Sequence, residues 1–235
     1  MSPTAQAAHR QALRRDVVVI ALALAAVLAW DFSGLDLMVM HAFGTAEGFA
    51  WRSAWWAERV LHDGAKLVSW GVLAALAVNV VRPWTKGPER AERLAWVLVT
   101  LACVVAVPAL KRISTTSCPW DLQLFGGVAA YVPHWLPGAR DGGPGHCFPS
   151  GHAVSAFGFV AGYFALRPYA PRAARVWLAG VVAAGLVLGA TQTVRGAHPP
   201  SHTLWTAWLC WTLSWALWSA WAARRLRPAA VASPG

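Results

Sequence analysis

Apolar residues fall in six runs separated by short polar breaks rich in Gly, Pro and Arg. They extend from Val17 to Trp30, from about Val60 to Val81, from Leu94 to Leu110, from His152 to Leu166, from Val176 to Val194 and from Thr203 to Ala223. A membrane-spanning helix needs about 20 mainly apolar residues, with roughly 17 to 25 tolerated. The pattern therefore predicts an all-α polytopic membrane protein, a bundle of six transmembrane helices. The first run follows Arg10, Arg14 and Arg15 and also has the layout of a signal peptide. With no small-residue cleavage site followed by a turn, it reads as a span that can continue through the polar break from Asp31 to Asp36. No repeat or glycine-serine linker divides the chain, so residues 1–227 are expected to form one domain, with a core at about 60–222 and a disordered tail at 228–235.

Composition supports a bilayer as the solvent: 57% of residues are hydrophobic and 13% charged, against about 45 to 50% and about 25% in soluble domains. Disorder, a coiled coil and a disulfide scaffold are excluded on the same ground. The formal charge of +10 would suit nucleic acid if it formed a face or a tail, but the basic residues lie between the apolar runs. Clusters at 10–15, 82–93, 167–175 and 224–227 outnumber Arg52, Arg59, Lys66, Lys111, Arg112, Arg140 and Arg195 on the other side. Basic short loops stay in the cytoplasm, so both termini are expected there. Residues 31–59, 111–151 and 195–202 are then expected outside, and no nucleic-acid partner is expected.

Three polar clusters lie at outer helix ends: LKRISTTSCPWD with Lys111 and Arg112, GHCFPSGHA with Ser150, Gly151 and His152, and VRGAHPPSH with Arg195, His198 and His202. A Ser-Gly-His entering a helix suits an anion, because unpaired backbone N–H groups and the positive end of the helix dipole converge there. Lys and Arg nearby make phosphate the obvious anion. His198 and His202, four residues apart, also have the spacing of a zinc pair. Pro199 and Pro200 and the lack of a catalytic Glu argue against that, and no metal or cofactor is expected. Cys103 and Cys210 fall inside apolar runs as packing residues. Cys118 and Cys147 share the outer loop, one beside each of the first two clusters, and are expected to form a disulfide in an oxidising compartment. The tryptophans from Trp205 to Trp221, spaced by three and four, read as a packing or lipid-facing seam.

At these clusters the sequence resembles the type 2 phosphatidic acid phosphatase (PAP2) superfamily, here a divergent bacterial branch. That family shows Lys, six residues, Arg-Pro; then Pro-Ser-Gly-His; then Ser-Arg, five residues, His, three residues, Asp. Lys111 and Pro119 match the first motif with Cys118 in place of Arg, and Pro149, Ser150, Gly151 and His152 match the second throughout. In the third, His198 matches, Thr191 and Gln192 replace Ser-Arg, and His202 replaces Asp.

The resemblance implies a metal-independent lipid phosphatase of the inner membrane with its site facing the periplasm or exterior. Its substrate would be a lipid phosphate or pyrophosphate of the lipid A, undecaprenyl pyrophosphate or phosphatidylglycerol phosphate class. His198 would attack phosphorus to give a phosphohistidine, and His152 would protonate the departing oxygen. Lys111, Ser150, the Gly151 amide and an Arg, either Arg195 one helical turn further on or Arg112, would hold the phosphoryl oxygens. His202, and Asp63 from the end of the second run, are the candidates for the role of the missing Asp. Two alternatives stay open: a lipid-to-lipid phosphotransferase, and a protein that binds or transports a lipid phosphate without turnover.

Overall fold

The computed structural model describes residues 3–84, 87–136 and 138–226; the expected disordered tail and the basic residues Lys86 and Arg227 lie outside them. Helix α1 (Pro3–Phe32) ends at Ser33 and Gly34, and α2 (Leu35–His41) leaves at 61° to it. The polar break at Asp31 to Asp36 is thus a bend. A two-stranded hairpin (β1, Gly44–Thr45; β2, Gly48–Phe49) and a π-helical turn (Trp56–Asp63) lead into α3 (Gly64–Val81). Helix α4 (Arg90–Ile113) starts at a capping box, in which Glu89 and Glu92 satisfy each other's backbone N–H groups, and runs through Pro108. After a long loop come α5 (Val154–Phe157), a 3₁₀ turn (Gly158–Val160) and α6 (Ala161–Leu166), then α7 (Pro171–Val194) and α8 (Pro200–Leu226).

All six apolar runs are helical. Three helical stretches, Trp56–Val81, Arg90–Ile113 and Pro171–Val194, are long and apolar enough to cross a membrane, or four if the bent α1–α2 pair counts as one span. Val154–Leu166 is apolar but shorter. Buried Val, Phe, Trp and Cys side chains of α4, α5, α6 and α8 form the main core. Leu67, Trp70, Val105, Ile113 and Val176 are more than 60% exposed on the outside of the bundle, the inverse of a water-soluble surface and suited to lipid.

Two features hold α8 where the site needs it. Gly189 faces Thr203 so closely that a Cβ would sit 2.3 Å from its methyl carbon, so glycine is what lets α7 and α8 meet there. From the other side, the indole N–H of Trp208 donates to the Ile20 carbonyl (3.1 Å) and that of Trp205 to Asp31 (2.7 Å). Two members of the tryptophan seam therefore bond α8 to α1.

Candidate active site

The three polar clusters meet at one end of the bundle. Helix α4 delivers Lys111 in its last turn. The chain then runs as extended backbone to Thr116, whose carbonyl accepts from Cys147 N (2.9 Å), while Ser114 O accepts from His146 N (2.9 Å). A disulfide joins Cys118 to Cys147 with Cα atoms 5.1 Å apart, so the end of the first cluster is tied to the start of the second. Asp141 closes the loop between them by accepting from Ser117 N (2.6 Å), Ser117 Oγ (2.9 Å) and Gly143 N (3.0 Å).

Ser150, Gly151 and His152 form the turn just before α5. The Ser150 backbone is fixed: its N–H donates to His202 O (3.2 Å) and its carbonyl accepts from Thr206 Oγ1 (3.0 Å). Its side-chain hydroxyl, by contrast, is wholly buried and has no hydrogen-bond partner among the described residues. A buried donor left unpaired costs about 1 to 3 kcal/mol, which marks a place for an external acceptor. Gly151 faces Lys111, since a Cβ there would lie 3.8 Å from Lys111 Nζ. The Lys111 ammonium thus lies beside the residue that follows Ser150.

His198 arrives by a helix stop. Helix α7 ends at Val194, Gly196 takes the left-handed conformation (φ 78°), and the N–H groups of Ala197 and His198 fold back onto the Gln192 carbonyl (2.8 and 3.2 Å). The His198 ring is 1% exposed and lies 6.1 Å, centroid to centroid, from His152. Burial first, then the positive charge of Lys111 and the imidazoles of His202 and His152, hold His198 well below the ordinary histidine range. At neutral pH the ring is uncharged and one nitrogen keeps a lone pair.

Its Nδ1 lies 3.3 Å from His202 Nδ1 and 3.4 Å from Cys147 Sγ, and His202 Nδ1 lies 3.1 Å from the Cys147 carbonyl. A carbonyl and a disulfide sulfur only accept. The carbonyl fixes the His202 proton on Nδ1, and for His198 we adopt the tautomer with the proton on Nδ1 towards the sulfur, which leaves its lone pair on Nε2.

The sequence model of the PAP2 superfamily matches residues 93–226, more than half of the chain. This chain belongs to the PAP2 superfamily. No curated protein and no solved structure matches it. For a PAP2 protein, membership carries phosphatase activity on phosphate esters in general terms.

The other residues expected at this PAP2 site are Arg195, Arg112 and Asp63. Arg195 is the C-cap of α7, still in helical conformation with its N–H donating to Thr191 O (3.2 Å); it is buried and its Nε donates to the Arg52 carbonyl (2.9 Å). Arg112 is exposed at the end of α4. Asp63 is exposed and paired with Arg59 (3.3 Å), in the π-helical turn. Two further carboxylates lie near the histidines. Asp36 accepts from Ser201 N (3.0 Å), from Ser201 Oγ and from the Trp30 indole (2.7 Å), and so caps the first turn of α8. Asp31, its side chain 2% exposed, lies 3.3 Å from His134 Nε2. His134 stacks on Phe148 at 4.1 Å and meets His202 edge to face at 5.4 Å. A cavity of about 40 Å³ behind the histidines is lined by Asp36, His134, Asp141 and His202 among others.

Proposed function

We propose that the chain is an integral-membrane lipid phosphatase that works through a phosphohistidine on His198. The observation that carries this reading is the gathering of Lys111, 3.8 Å from a Cβ at Gly151, the buried Ser150 hydroxyl with no hydrogen-bond partner among the described residues, and the buried His198 with His152 6.1 Å away. His198 Nε2 attacks phosphorus and the bond to the lipid oxygen breaks, with the electron pair leaving on that oxygen. His152 protonates it. Lys111, the Ser150 hydroxyl and the Gly151 N–H hold the equatorial oxygens, where charge spreads in the transition state. Water then attacks the phosphohistidine and His152 takes its proton. Arg195 is engaged elsewhere through its Nε, and Lys66, close enough to Lys111 for their charges to repel, offers a second cation.

A lipid fits the surroundings. An open apolar groove of about 770 Å³ runs past Val60, Val68, Ser155, Phe159 and Leu188, beginning next to the His152 turn, and suits hydrocarbon tails below a headgroup at the site. The six apolar helices would place both termini in the cytoplasm and the site at the outer face of an inner membrane. Phosphate or pyrophosphate lipids of the lipid A, undecaprenyl pyrophosphate and phosphatidylglycerol phosphate classes all present the required group. The test is phosphate release by the purified chain from each of these, with and without chelator. Release from at least one that persists in chelator supports the reading. Transfer to an acceptor lipid in place of release marks a phosphotransferase, and binding without turnover marks a lipid-phosphate binder.

A further inference from the structure

We propose that a pocket at the end of the bundle opposite the candidate active site binds the phosphate of an anionic phospholipid headgroup. The pocket, of about 390 Å³, lies between α1, the end of α6 and the start of α7, and Arg15, Asp16, Tyr163, Arg167, Arg175 and Leu178 line it. Helix α7 carries Arg175 in its second turn and reaches the active site at its other end, so most of its 24 residues, about 36 Å at 1.5 Å each, lies between the two. Among these lining side chains Asp16 alone is acidic, and it is committed to Arg167: Nη1 donates to one carboxylate oxygen (2.9 Å) and Nη2 lies 2.8 Å from the other. Arg15 and Arg175 have no hydrogen-bond or ion-pair partner among the described residues.

Three arginines against one aspartate leave the pocket with a surplus of two positive charges, carried by guanidinium forks that match phosphate oxygens. Position selects a lipid over free phosphate. One helical turn beyond Arg15 lie the exposed Val18 and Val19, and Leu22, 65% exposed, continues that face of α1. One turn beyond Arg175 is Leu178, itself part of the lining. The two unpaired cations therefore stand where the charged end of the bundle gives way to its apolar outer surface, at the height of a headgroup, with acyl chains free to follow α1 and α7. A zwitterionic headgroup brings an ammonium of its own, which unpaired guanidinium groups disfavour, so phosphatidylglycerol is preferred to phosphatidylcholine. A phosphate shared by Arg15 and Arg175 also ties α1 to α7 at this end, where the Asp16–Arg167 pair already ties α1 to the end of α6.

The experiment titrates the full chain in detergent with phosphatidylglycerol, phosphatidylcholine or inorganic phosphate, counting bound lipid by native mass spectrometry and following Tm. Phosphatidylglycerol should bind in preference to phosphatidylcholine and raise Tm. Arg15→Gln combined with Arg175→Gln should weaken its binding by about 10- to 30-fold. Arg172→Gln combined with Arg224→Gln removes the same charge at the same end but outside the lining, and should change binding by less than about 2-fold. All four arginines are exposed, so both double variants should keep the circular dichroism spectrum of the parent. Equal binding of the two lipids, equal loss in both double variants, or no loss in the first overturns the proposal. Inorganic phosphate that displaces the lipid at matching concentration makes this a site for a free anion and overturns the lipid assignment. None of these readouts involves phosphate release, so they decide the site whether or not the phosphatase reading holds.

Discussion

The Pro149–His152 turn and the Gln192–His202 turn face each other across the site and are built in opposite ways. The first keeps every family residue and leaves its chemistry open: the Ser150 hydroxyl is buried without a partner among the described residues. The second has lost the family's Arg and Asp and is closed on itself, with His198 between His202 and Cys147, and the first turn of α8 held by Asp36. One turn is shaped to receive an anion, and the other to hold an imidazole rigid and uncharged. Preorganisation of the proposed nucleophile, His198, thus comes here from burial, a disulfide and a carboxylate on another helix that caps α8, in place of an Asp four residues away.

Four substitutions break or sharpen that contrast. His198→Gln, on the closed side, should lower phosphate release by at least about 1,000-fold while the circular dichroism spectrum is unchanged, because it removes the proposed nucleophile. His152→Ala, on the open side, should cost about 100- to 10,000-fold with lipid phosphates. The loss should shrink for an aryl phosphate whose leaving group needs no proton; an equal loss for both would make His152 a binding residue only. Ser150→Ala should lower kcat/KM by roughly 10-fold, the effect of one hydrogen bond to an anion, and should not reduce thermal stability, since the hydroxyl has no hydrogen-bond partner among the described residues. Asp36→Asn should do the reverse, weakening the cap of α8 by about 1 kcal/mol and lowering Tm by about 2 to 4 °C. A stability loss in Ser150→Ala, or none in Asp36→Asn, would erase the distinction between the two turns.

How far each turn could be read in advance follows from the range of its interactions. Lys111, Ser150, Gly151 and His152 were legible because motif spacing places them on helix ends, and local chain geometry brings those ends together. The disulfide was legible from two cysteines flanking adjacent motifs. Asp36 and Asp31 showed only as a polar break, because their partners Ser201 and Trp205 lie 165 and 174 positions away and periodicity says nothing about such pairings. His134 carried no local signal for the same reason. Arg195 was placed by assuming that α7 reaches it, and the helical geometry does extend to Arg195 before Gly196 stops it; its hydrogen bond to Arg52, 143 positions away, carried no local signal. Asp63 pairs with Arg59 four residues before it, a spacing that the sequence displays.

The central claim is the covalent step, and it can be seen directly. The oxidised chain is mixed with a radiolabelled lipid phosphate, quenched in alkali, where phosphohistidine survives, digested and sequenced by mass spectrometry. The account predicts one phosphoryl group on the peptide carrying His198, none in His198→Gln, and loss of the label when the wild-type protein is chased with unlabelled substrate. Turnover with no labelled peptide, or with the label on any residue other than His198, would contradict it.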